Sequence, residues 1–93
     1  MMRDAGDCVD VSGALTLDNA RAMLEAGCRQ LTRDENVFDL AAVGAVDSSG
    51  LAVVFGWVRA AQAVRKSVRI IYPPQNLLSL AALYGVTQLL PPI

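Results

Sequence analysis

Histidine is absent from all 93 residues. Its absence excludes Ser-His-Asp and Cys-His nucleophilic catalysis, His-containing zinc sites and the commonest general base. Cysteine occurs only at positions 8 and 28, a poor metal set without histidine, so no metal and no cofactor are expected. Without a secretory signal, Cys8 and Cys28 are expected as free, reduced, buried thiols. Aromatic residues make up only 5%, so the core must be built from Leu, Val, Ile and Ala. Basic residues are scattered, with only Arg65 and Lys66 adjacent, and the net charge is −1. That leaves no electrostatic footprint for nucleic acid. The longest apolar run, Leu51 to Val58, is eight residues and contains Gly56, against the ~20 needed to span a bilayer. No apolar stretch follows Met1-Met2-Arg3-Asp4, so no signal peptide is expected and the chain reads as cytoplasmic. No pair of acids converges on an obvious cleft, and an enzyme is not expected.

What is there reads as one domain over residues 1–93, with room for a single modest core. Cys8 to Gly13 alternates apolar and polar residues, as a strand with one buried face does. Thr16 or Asp18 is placed to cap a helix on which Leu17, Ala20, Leu24, Cys28 and Leu31 recur at helical spacing. Val37 to Ala41 predicts a largely buried strand, and a long helix is expected from about Ser49 to Arg65 or Lys66. Val68 to Tyr72 predicts another strand, stopped by Pro73-Pro74. The last helix carries Leu77, Leu80, Ala81 and Tyr84 on one stripe, with Gly85 as its C-terminal cap. The apolar tail Leu89-Leu90-Pro91-Pro92-Ile93 is expected to pack back on the body. Strands separated by helices give an α/β fold with a mixed, mostly parallel sheet of about four strands.

The most informative stretch is Asp47-Ser48-Ser49-Gly50, where a strand hands over to the long helix. Free N–H groups and the helix dipole collect at such a start, which suits either a capping residue or a phosphate. Asp47 reads equally as a turn or cap residue and as part of phosphate chemistry. On the helix behind it, Val53, Val54, Trp57, Ala60, Ala61 and Val64 form one arc suited to the sheet, and Trp57 is expected in the core. Leu51, Phe55 and Val58 fall in the other sector, beside Arg59, Gln62, Arg65 and Lys66. Either a loop or the Leu89-Leu90 tail covers these apolar residues, or they form a partner-binding patch next to the serines. We read Asp47, Ser48, Ser49, Gly50, Leu51, Phe55, Val58 and Arg59 as that partner-binding surface.

Three segments in order carry a family resemblance. Val11 to Ala20, Phe38 to Val43 and Val46-Asp47-Ser48-Ser49-Gly50-Leu51 resemble the first strand and helix, the central strand and the signature loop of the STAS domain. This is the fold of anti-sigma factor antagonists, and the resemblance covers about residues 8–90. Leu80 to Val86, followed by Leu89-Leu90-Pro91, resembles the STAS subunits of Mla-type phospholipid ABC transporters, which serve outer membrane lipid asymmetry. The resemblance implies a non-catalytic accessory subunit bound to a cytoplasmic ATPase and, through it, peripheral to an inner-membrane permease. It also implies an alternative: an anti-sigma factor antagonist in which a partner kinase phosphorylates Ser49, with Ser48 as the loop hydroxyl of the transporter branch. The family normally opens with an extra strand. Only Met1 to Asp4 are available for it, so a very short or missing edge strand is expected, leaving an edge open to pairing with another chain.

Overall fold

Strand β2 (Val9–Leu15) sets the frame, because Val9, Val11 and Leu15 point into the core while Asp10 and Ser12 stay near the surface. The computed structural model describes residues 1–92. Around β2 lie a three-residue β1 (Met2–Asp4), α1 (Ala20–Arg29), β3 (Glu35–Val46), α2 (Ser48–Ala63), β4 (Ser67–Ile71), α3 (Gln75–Leu83) and a short 3₁₀ turn at Thr87–Leu89. The sheet order is β1-β2-β3-β4, with β1 antiparallel to β2 and the other pairs parallel. The edge strand is therefore present but short.

β3 is much longer than the five-residue run that the hydrophobic pattern suggests. Asp10 pairs with Asp39 while Ser12 pairs with Ala42, and Gly13 pairs with Val43 while Leu15 pairs with Val46. Each step puts one extra residue into β3, and such bulges bend a strand without ending it. At the first, the Ala41 N–H donates to Asp39 Oδ1 at 2.9 Å. The bulges carry small residues, Ala41, Ala42, Gly44 and Ala45, past the apolar run and deliver Asp47 to the end of β2.

The helices close one core with the sheet, centred on Phe38, Leu40, Val54, Trp57, Ile70 and Leu77. α1 presents Met23 and Gly27, with Ala20 and Leu24 partly buried. Two expectations change here. Cys28 is exposed, because Gly27 is the residue seated against Trp57 and Cys28 follows it 100° further round. Leu17 is 74% exposed on the loop before the helix. The N-cap of α1 is Asn19 rather than Thr16 or Asp18; its side chain instead accepts from Thr16 N–H and donates to the Ala14 carbonyl. Both cysteines are free, with Cys8 half-buried.

α3 ends in a Schellman motif: Gly85 (φ 69°) donates to the Ala82 carbonyl and Val86 to that of Ala81. Leu77 and Ala81 are buried on this helix, whereas Tyr84 is exposed. α2 ends the same way, earlier than expected, with Arg65 in the left-handed position (φ 59°), its N–H donating to the Gln62 carbonyl and the Lys66 N–H to that of Ala61. Arg65→Gly is thus expected to stabilise the fold by about 0.5–1 kcal/mol, since a side chain is strained there. Urea denaturation would read this as a higher midpoint at unchanged slope. Part of the tail packs back: Leu90 lies against the core, and the Pro92 carbonyl accepts from Ile70 N–H at 3.0 Å on the outer edge of β4, whereas Leu89 is exposed and Ile93 lies outside the described residues.

Candidate functional site

The strand-to-helix corner is built on Asp47. Its backbone is extended (φ −120°, ψ −172°), and its carboxylate accepts from Ser49 N–H at 2.8 Å and Gly50 N–H at 3.2 Å. The residue is therefore the N-cap of α2, and the serines behind it are the first helical residues. The second carboxylate oxygen accepts from Leu17 N–H at 3.0 Å, and the Asp47 N–H donates to the Leu15 carbonyl at 3.2 Å. One residue thus joins the loop after β2 to the start of α2.

These N–H donors, Leu17 first and then Gly50 and Ser49, hold the Asp47 carboxyl below its ordinary pKa. A folded pKa below the unfolded value contributes stability that is complete above the ordinary carboxylate range and lost as pH falls through the folded value. Asp47→Asn is expected to lower the melting temperature near neutral pH, with the gap from wild type closing below about pH 4. Thermal unfolding followed by circular dichroism across that range tests it. A gap that stays constant with pH would mean the carboxylate charge plays no part.

Gly50 makes the corner possible, because a Cβ at this position would collide with the Leu15 carbonyl. The first turn of α2 is therefore pressed onto the end of β2. One consequence corrects the expected binding face: Leu51 is only 4% exposed and belongs to the core. Phe55 and Val58 are half-buried and packed against that core, and Val58 lies beside Leu89, Leu90 and Pro91. Val64, expected on the inner arc, is exposed.

The surface that does open beside the serines lies on the α1 side. Ala20, Arg21, Leu24, Ser49, Ala52, Val53 and Arg59 line a shallow groove of about 410 Å³. Of the residues singled out from sequence, Ser49 and Arg59 both line this groove, and Ser48 is exposed but does not line it. Ala20, Arg21, Leu24, Ala52 and Val53 were missed. Small alanines carry little signal as a contact face; the clue was that Ala52 and Arg59, seven residues apart, fall on one side of a helix.

A second cluster lies on the sheet's outer side, where Cys8, Asp10 and Asp39 bring ligand atoms within 4.8 Å of one another. Asp10 is already paired with Arg3 at 3.0 Å, and loss of hydration together with Asp10 raises the Cys8 thiol pKa. A protonated thiol and a committed carboxylate suit a metal badly. Among the described residues no helix is long and apolar enough to cross a membrane.

Comparison with known proteins agrees with this architecture. A family model described as "Mlab, STAS domain" matches residues 2–91. The intermembrane phospholipid transport system binding protein MlaB of Haemophilus influenzae is 43% identical over 42 residues, a stretch covering 45% of this chain and 40% of that protein. Among solved structures, the anti-sigma factor antagonist SpoIIAA in its unphosphorylated form superposes with a TM-score of 0.66 at 15% identity, covering 99% of this chain and 84% of that one. The phosphorylated form of SpoIIAA, a Bacillus cell fate determinant, gives 0.63 at 17% identity, with 95% and 85% covered. At such identities the structural likeness carries the fold alone.

Proposed function

From the premise that this chain belongs to the STAS domain family, in the branch described as Mlab, we propose that it is a non-catalytic binding subunit of a phospholipid-trafficking ABC transporter. In this reading it docks on the cytoplasmic ATPase and supports its assembly or activity, and it reaches the inner membrane only through that partner and its permease. The MlaB relative, named as a binding protein of an intermembrane phospholipid transport system, supports the assignment. The observation that carries it in the geometry is the groove beside Ser49. Its floor is apolar and its corner is held rigid by Asp47, but it brings together no nucleophile-and-base pair. Such a surface supports a binding role.

The test is affinity purification of the tagged full chain from its native cell, with partners identified by mass spectrometry. Recovery of an ABC ATPase together with a membrane permease is expected. Ser49→Ala should leave that recovery nearly unchanged, because the cap is made by Asp47 and backbone N–H groups. Recovery of an anti-sigma kinase alone, released by Ser49→Asp, would replace this reading with the phospho-switched antagonist.

A further inference from the structure

We infer that the groove between α1 and α2 receives a protein segment of the ATPase that carries an apolar side chain next to a carboxylate, and that Arg59 pairs with this carboxylate. The inference rests on the docking function proposed above and adds the chemistry of what is docked.

The groove floor is Ala20, Leu24, Ala52 and Val53. Alanines at two of these positions leave a depression that a branched or aromatic side chain would fill, with its apolar surface removed from water. Its charged rim is of one sign, since Arg21 and Arg59 are the only ionisable residues that line it. The two arginines are not equivalent. Arg21 reaches Glu25 one helical turn away at 3.6 Å, so its charge is partly answered within α1. Arg59 takes part in no ion pair among the described residues.

Among the described residues Arg59 thus leaves an unpaired guanidinium beside the apolar depression. A guanidinium at the rim of an interface selects a carboxylate and repels a basic partner. Ser49 and Arg59 both line the groove, so a segment lying along α2 with its apolar side down would set its acidic side toward the arginine.

The experiment compares the tagged full chain with its Arg59→Glu and Ala52→Trp variants in binding to the purified ATPase. Both substituted positions are exposed, so melting temperatures close to wild type should confirm that the variants fold. Arg59→Glu is expected to weaken binding roughly tenfold or more by setting like charges together. Arg59→Lys should retain most of the binding. Ala52→Trp, which fills the depression, should weaken binding at every salt concentration, whereas the Arg59 effect should shrink in high salt. Undiminished binding by both Arg59→Glu and Ala52→Trp would overturn the groove as the docking site and leave the transporter reading standing. Failure of the unsubstituted chain to bind any transporter ATPase would overturn that reading and this inference with it.

Discussion

Gly50→Ala is expected to destabilise the domain by about 3 kcal/mol or more, at the upper end of what overpacking costs. The reason is the atom that the new methyl would meet. It is the Leu15 carbonyl oxygen, part of the β2 backbone, with the Leu15 carbonyl carbon and Cβ close behind. A flexible side chain could swing aside, but this backbone cannot, because Leu15 is buried and its carbonyl already accepts from Asp47 N–H. The start of α2 must therefore retreat, which weakens the Asp47 bonds to Ser49, Gly50 and Leu17 together. Urea denaturation should show a large fall in midpoint, and partner binding should fail with it. Gly44→Ala is the matched control. It lies in β3, nothing stands within 4 Å of an added Cβ, and its backbone is not in the left-handed region. That variant should be neutral or gain a few tenths of a kcal/mol, about what the lost unfolded-state entropy gives. Equal effects at the two glycines would refute the collision argument.

The same glycine explains which parts of the site sequence could reveal. The handover from strand to helix at Asp47 was legible because an acid followed by two serines and a glycine, between two apolar runs, has few other uses. The four-strand α/β fold was legible from the alternation of strand and helix patterns, and the short first strand from the four residues available to it. The burial of Leu51 was not. A helical wheel treats a helix as lying on one flat neighbour, yet the first turn of α2 sits in a corner. Gly50, Leu51, Val53 and Val54 are all buried there, over an arc of about 160° at 100° per residue that takes in Leu51 as well as the sheet-facing valines. Cys28 was misplaced for a related reason. Apolar spacing prefers Leu24 and Cys28 as a stripe, and glycine carries no hydrophobic weight, so the contact of Gly27 with Trp57 leaves no trace in the pattern. The length of β3 was hidden because bulges break the period-two alternation that marks a strand. In each case the missing information was a backbone contact between elements distant in sequence.

Trp57→Ala is expected to cost about 3–5 kcal/mol, the range for truncating a buried tryptophan, and so to leave much of the population unfolded if the domain has ordinary stability. Trp57 is fully buried, stacks at a tilt on Phe38 with ring centroids 4.6 Å apart, and donates its indole N–H to the Met23 carbonyl at 3.1 Å. It is also the surface on which α1 rests, since Gly27 lies close against the Nε1 edge of its indole. Two further substitutions separate these roles. Trp57→Phe keeps an aromatic ring in the core but removes the donor to the Met23 carbonyl, a loss of about 0.5–1.5 kcal/mol along with some packing. Gly27→Ala keeps the tryptophan but drives a methyl into the indole, which should displace α1 from α2 at a cost of about 1–3 kcal/mol. Because the groove proposed for docking is the seam between these two helices, Gly27→Ala should also reduce partner binding by more than its loss of stability explains. Hydrogen exchange on α1 distinguishes the cases. Faster exchange confined to Ala20–Arg29 is expected for Gly27→Ala and faster exchange throughout for Trp57→Ala. Uniform exchange in both would mean that α1 unfolds only with the whole domain, and that its seat on Trp57 does not set the groove independently of the core.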